Sequence, residues 1–141
     1  MKGFTILELL IVMTLAAVVA AMGMINFSRL KRQEDLPAIV VMAVQLAERA
    51  RSGSVSGKDG RAWKVMINPG SVSLADDQNR IAETYQVPNG YSLSGPVVEV
   101  EFGGIDGVVQ SCVPECMFVA QETGGSLNHQ WQILASGAVE Y

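Results

Sequence analysis

The 141-residue sequence has few of the residues on which catalytic and metal chemistry depend. It holds one histidine and two cysteines, which is little material for a histidine-based active site or a four-ligand zinc site. Charged residues make up only 17%, and the formal net charge is −4. Because phosphate binding needs a basic surface, a dedicated nucleic-acid binder is not expected. We therefore expect a protein that is not an enzyme and that uses no metal and no cofactor.

Apolar residues are abundant instead, and they are concentrated near the start of the chain. From Leu9 to Ile25 every residue is apolar except Thr14, with Gly23 tolerated. Together with Phe4–Leu7 this run covers about 20 residues, enough to cross ~30 Å of hydrocarbon as a helix. A secretory signal peptide is the alternative, but its apolar region is shorter. The sequence thus predicts a membrane-spanning helix.

Glu8 is the one charged residue inside this run. A carboxylate within a spanning helix costs about 2.5–3.5 kcal/mol, so its presence indicates a function. No Lys or Arg lies between Lys2 and Arg29, but cleavage ahead of Phe4 would create an α-amino group one helical turn away. An amine from a neighbouring copy would make Glu8 set the axial register between subunits. The alternative is an acidic side chain that reaches the polar headgroups.

The first ten residues carry a resemblance. Met1-Lys2-Gly3 followed by Phe4-Thr5-Ile6-Leu7-Glu8-Leu9-Leu10 resembles the class III prepilin signal of type IV pilins and type II secretion pseudopilins. This resemblance implies a leader peptide at residues 1–3, cleavage between Gly3 and Phe4 by prepilin peptidase, and N-methylation of Phe4. It also implies filament assembly, in which Glu8 contacts the amino terminus of a neighbouring subunit. The implied partners are other pilin or pseudopilin subunits, inner-membrane lipid and secreted cargo.

The same resemblance implies where the chain lies. Residues 4–27 would form a transmembrane helix that later joins the filament core, with the carboxyl-terminal domain in the periplasm. The positive-inside rule alone predicts the opposite orientation, because Arg29, Lys31 and Arg32 follow the span and only Lys2 precedes it. The two cysteines favour an oxidising compartment and therefore the periplasmic side.

An amphipathic helix is predicted for residues 28–53. From Leu36 apolar residues recur at spacings of three and four to about Arg51, and Ser52-Gly53 is expected to end the helix. Pro37 either kinks one long helix or lies in the first turn of a helix that restarts at Asp35.

Residues 54–141 alternate short β-branched and aromatic runs with turn signals, which predicts a β-rich domain. The fold class is therefore α+β and pilin-like, with a long amino-terminal helix packed on an antiparallel sheet or sandwich. The predicted strands are Ala62–Ile67, Val72–Ala75, Arg80–Tyr85, Tyr91–Ser94, Val97–Phe102, Val108–Ser111, Met117–Gln121, Gln130–Leu134 and Ala138–Tyr141.

Three stretches, Leu46–Arg51, Gly57–Val65 and Trp131–Val139, are similar to GspH/FimT-type minor pseudopilins and minor pilins. Ala138 stands where that family commonly has an Arg. The resemblance implies a structural subunit of a type II secretion pseudopilus or type IV pilus that supports protein secretion. Two alternatives stay open, a minor pilin that binds DNA for natural transformation and a membrane-anchored periplasmic binding domain that never polymerises.

Few other residues suggest chemistry. Cys112 and Cys116 flank three residues, which suits a disulfide that stiffens a hairpin tip, with two free thiols as the alternative. His129 is expected in a solvated turn. Asp76, Asp77 and Asn79 suit a polar turn better than a Ca²⁺ site.

The glycine-rich stretch 103–107 precedes a strand pattern rather than a helix, so a phosphate cradle is not expected. The only basic cluster comprises Arg49, Arg51, Lys58, Arg61 and Lys64. It could bind DNA, or it could be a solvated helix end or a contact with neighbouring subunits.

Overall fold

One long helix and eight strands make up the regular structure of the described residues. The structure, a computed structural model, describes residues 5–104, 106–109, 111–112 and 114–141, and at residues 23–33 the backbone alone. The chain divides into two units, Met1–Asp35 and Leu36–Tyr141. Helix α1 runs from Ile6 to Val55 and contains Pro37. Pro37 is therefore not in the first turn of a restarted helix.

Helix α1 ends later than the sequence suggested, at Val55 rather than at Ser52-Gly53. Gly53 does not end the helix. It allows close packing inside the last turns, because a Cβ atom there would lie 3.0 Å from Cδ1 of Trp63. Ser54 follows and fixes the last turn to the first strand. Its Oγ accepts a hydrogen bond from the Trp63 N–H (2.6 Å) and donates one to the Trp63 carbonyl (3.2 Å).

Two four-stranded antiparallel sheets follow the helix. A short 3-10 turn at Lys58–Gly60 connects the helix to the first strand. The strands are β1 (Trp63–Asn68), β2 (Ser71–Asp76), β3 (Ile81–Gln86), β4 (Tyr91–Ser94), β5 (Glu99–Phe102), β6 (Glu115–Glu122), β7 (Asn128–Leu134) and β8 (Val139–Glu140). The first sheet has the order β3-β2-β1-β5, and the second has the order β4-β6-β7-β8.

The predicted α+β, pilin-like fold is confirmed. Besides the helix end, two further local predictions were wrong. Among the described residues of Val108–Ser111 there is no strand. Gly107 adopts a left-handed φ of 68° just before this segment, and the Val109 N–H reaches the carbonyl of Ala135 (2.9 Å) in the turn after β7. His129 lies within β7 and is half-buried, rather than in a solvated turn.

The hydrophobic core joins the carboxyl-terminal part of helix α1 to both sheets. The apolar positions that recur at helical spacing from Leu36, namely Val40, Ala43, Ala47 and Ala50, are all buried, and so are the flanking Ile39, Val44 and Leu46. The sequence of β5 alternates acidic and apolar residues, and the structure follows this alternation: Val100 and Phe102 are buried while Glu99 and Glu101 are exposed. In the second sheet, Phe118 and Trp131 stack with ring centroids 4.7 Å apart.

A disulfide joins Cys112 and Cys116, as the spacing suggested, but not at an exposed hairpin tip. Both residues are buried within the core. Cys116 belongs to β6 and pairs with Ile133 of β7, on the same inward-facing row as Phe118. The bond therefore ties the connection between β5 and β6 to the second sheet.

Asp76 organises the turn between β2 and β3. Its side chain is 4% exposed and accepts hydrogen bonds from Arg61 Nη1 (2.6 Å) and Arg80 Nε (2.8 Å). It also accepts from the backbone N–H groups of Gln78 (3.0 Å) and Arg80 (2.8 Å). Because two guanidinium groups already neutralise this carboxylate, it serves the fold and is not a Ca²⁺ ligand.

We expect Asp76→Ala to lower the free energy of unfolding by about 3 kcal/mol, because it leaves two guanidinium groups and two backbone donors without their acceptor. Asp77→Ala is the matched control: Asp77 is exposed, so the change should stay within about 0.5 kcal/mol. Urea unfolding of the full chain in detergent, followed by tryptophan fluorescence, measures both. Equal destabilisation by the two variants would contradict this role for Asp76.

Candidate assembly site at the amino terminus

Thr5 caps helix α1. Its Oγ1 accepts a hydrogen bond from the Glu8 N–H (3.3 Å), and its carbonyl accepts one from the Leu9 N–H (3.2 Å). The sequence Thr-x-x-Glu just before an apolar run is the pattern of a capping box. The cap was not predicted, although Thr5 and Glu8 carry its signal in the sequence. The cap fixes Glu8 in the first turn of the helix, where the helix dipole favours a negative charge.

The surface of the first helical turns is apolar on every side. Each described residue from Thr5 to Met22 is exposed, and the large hydrophobic ones range from 51% at Ile11 to 82% at Ile6. Thr14 satisfies its own hydroxyl by donating to the Ile11 carbonyl (2.9 Å). A helix that is apolar all round is stable only when lipid or other helices cover it.

Glu8 is the only charged side chain between Thr5 and Met22. It is exposed, and within the described residues no cation or hydrogen-bond donor contacts its carboxylate. The predicted cleavage and methylation positions, Gly3 and Phe4, lie outside the described residues. The structure therefore presents the acid of the predicted assembly site, while its expected partner amine at Phe4 is not described.

Most of the basic cluster predicted around the helix end is ion-paired within the domain. Arg49 Nη1 pairs with Glu83 (2.6 Å), and Lys64 Nζ pairs with Glu99 (3.3 Å). Arg61 pairs with Asp76 (2.6 Å). Each of these cations is thus neutralised within the domain.

The two remaining members of the cluster also have internal contacts. Arg51 Nη2 lies 3.5 Å from the carbonyl of Ser136. Lys58 Nζ lies 5.1 Å from the centroid of the Trp63 ring, a cation–π contact. Across the part of the chain that the structure describes, no three His, Cys, Asp or Glu side chains are grouped so as to hold a metal ion.

Comparison with known proteins identifies the amino-terminal segment. Residues 1–24 match the family model of the prokaryotic N-terminal methylation motif, which is the class III prepilin signal of type IV pilins and pseudopilins. No curated protein and no solved structure matches the chain significantly. The chain therefore carries the signal of a pilin-like or pseudopilin-like subunit that prepilin peptidase processes and that assembles with other pilin subunits.

Where side chains and backbone are described, none of the helices has the combination of length and apolar character that crossing a bilayer requires.

We expect Thr5→Val, which removes the capping hydroxyl and keeps the shape, to weaken the first turn by about 1 kcal/mol. Amide hydrogen exchange of Glu8, measured on the full chain in detergent micelles, should then accelerate about fivefold. Thr5→Ser keeps the acceptor and should exchange like the parent. An unchanged rate in Thr5→Val would contradict the capping role.

Proposed function

We propose that this protein is a non-enzymatic minor subunit of a type II secretion pseudopilus or a type IV pilus and supports protein secretion. Before assembly, its amino-terminal helix anchors it in the inner membrane, with the β-domain in the periplasm. The observation that carries this proposal is the uncovered apolar helix with a single carboxylate, Glu8, inside a matched prepilin signal.

The proposed mechanism is assembly by exchange of partners. In the membrane, lipid covers the apolar side chains of residues 6–22; in the filament, the helices of neighbouring subunits replace it. Cleavage before Phe4 creates an α-amino group, and Glu8 pairs with that of a neighbouring subunit. In any other axial register the buried Glu8 carboxylate would be unpaired. The free-energy cost of that unpaired charge favours the one register in which the amine is present.

DNA binding by this subunit is the weaker alternative. Residues 36–141 contain six Lys and Arg against eleven Asp and Glu, a formal charge of −5. Three cations of the basic cluster, Arg49, Arg61 and Lys64, are ion-paired inside the domain, as is Arg80 through Asp76. Phosphate binding would have to break these contacts against an unfavourable overall charge.

We expect Glu8→Leu to reduce incorporation into filaments at least tenfold, because the register would lose its electrostatic determinant. Filaments sheared from cells and quantified by immunoblot measure this, and Glu34→Leu, an exposed acid of the same helix, is the matched control. Mass spectrometry of the parent should find a mature amino terminus at methylated Phe4. An intact Met1 would favour a membrane-anchored domain that does not polymerise, and normal polymerisation of Glu8→Leu would contradict the role of Glu8 in setting the register.

We expect the full chain in detergent to leave duplex DNA unshifted on a gel even at low salt, where phosphate contacts are strongest. Retention that weakens steeply as salt is raised would instead support the DNA-binding alternative.

A further inference from the structure

Strand β3 is an exposed edge of the first sheet. It is the outermost strand in the order β3-β2-β1-β5, and five of its six residues are exposed. The pairing register shifts once: Leu74 pairs with Glu83 and Ala75 with Ile81, so Ala82 is an extra, bulged residue. The regular edge that another strand could extend is therefore Glu83–Gln86. Edge strands offer a row of backbone donors and acceptors to a partner chain.

A cavity of about 450 Å³ lies beside this edge, at the point where the bulge occurs. Ala82 and Glu83 of β3 line one side, and residues of the helix end and the following turn line the other. Trp63 and Leu74 complete the lining with apolar surface. The other lining side chains include Arg49, Ser52, Ser56 and Lys58. We call the β3 edge together with this cavity the β3 groove.

The β3 groove is cationic within an acidic domain. Arg49 and Lys58 line it with two hydroxyl groups, and its one acid, Glu83, is already paired with Arg49 at 2.6 Å. Lys58 Nζ contacts the Trp63 ring, and among the described residues no carboxylate lies within ion-pair distance of it. The Ser56 hydroxyl already donates to the Gly53 carbonyl (3.2 Å), so the cavity offers the Lys58 ammonium group and the Ser52 hydroxyl to an incoming anion.

We propose that the β3 groove binds an extended peptide segment of a partner protein as an added strand, antiparallel to β3, with its carboxyl end in the cavity beside Arg49 and Lys58. The orientation follows from charge. A segment antiparallel to β3 runs from Gln86 toward Ala82 and brings a terminal carboxylate or an acidic side chain to the cations. A parallel segment would bring its amino end there.

This inference goes beyond the proposed function. Filament incorporation depends on the amino-terminal helix and Glu8, whereas the β3 groove belongs entirely to the Leu36–Tyr141 unit. A failure of peptide binding would therefore leave the filament assay unaffected, and a failure of filament incorporation would leave peptide binding unaffected.

The test uses fluorescent synthetic peptides and the full chain in detergent micelles. The probe alternates Thr and Val over six residues and ends in Glu with a free α-carboxylate; its neutral counterpart ends in a Gln amide. Two further probes carry N-methyl groups on alternate residues, one on the odd and one on the even positions. Fluorescence anisotropy gives the affinity, and backbone amide chemical shifts report whether Glu83–Gln86 is the site.

We expect the carboxylate probe to bind about tenfold more tightly than the neutral one, as for a charge-assisted hydrogen bond. One of the two N-methylated probes should lose binding, because a strand directs alternate N–H groups toward its partner. Lys58→Gln should abolish the preference for the carboxylate. Gln130→Glu, which changes the net charge equally on the exposed face of β7, should retain it.

The proposal is overturned if no probe binds at up to millimolar concentration, or if both N-methylated probes bind like the parent. Equal affinity for the carboxylate and neutral probes also overturns it. Displacement of the carboxylate probe by duplex DNA would assign the groove to nucleic acid instead.

Discussion

The uncovered apolar surface of the first helical turns is the constraint on which the rest of the molecule depends. Exposing large apolar side chains to water on every face of a helix costs free energy. Such a surface requires a partner, and lipid and other apolar helices are the two chemically suitable kinds. In the proposed function the same residues contact both in turn, first lipid and then the helices of neighbouring subunits.

The Leu36–Tyr141 unit differs, because its apolar side chains form a core of their own and many of its charged groups are paired within it. The alanines of the helix stripe are fully buried and let the helix backbone approach the sheets closely. The Asp76 carboxylate accepts hydrogen bonds from two arginine side chains and two backbone N–H groups in one turn. Arg49 and Lys64 are likewise ion-paired with Glu83 and Glu99. The exposed edge strand β3 is one place where this unit can accept a partner strand.

Much of this architecture could be predicted from the sequence because it follows from periodicity. The spacing of Val40, Ala43, Ala47 and Ala50 marked the buried side of the helix, and alternation in β5 marked which residues face the core. The candidate assembly residue Glu8 was recognisable because a charge in an apolar run is costly.

The features that escaped prediction depend on contacts between residues distant in sequence. Gly53 looked like a helix stop, but the ring of Trp63 is what excludes a side chain there. The five cations near the helix end looked like a patch, but acids on β2, β3 and β5 claim three of them. The β3 groove likewise required knowing that β3 lies at an edge and that Ala82 is bulged, which local sequence does not specify.

The buried position of the disulfide has a consequence for how the domain matures. Sulfur atoms enclosed in a core are shielded from small-molecule reductants, so the bond persists for as long as the β-domain stays folded. Because disulfides form and persist in oxidising compartments, the closed form of the β5–β6 connection requires such a compartment, and a reduced chain lacks this tie between the connection and the second sheet.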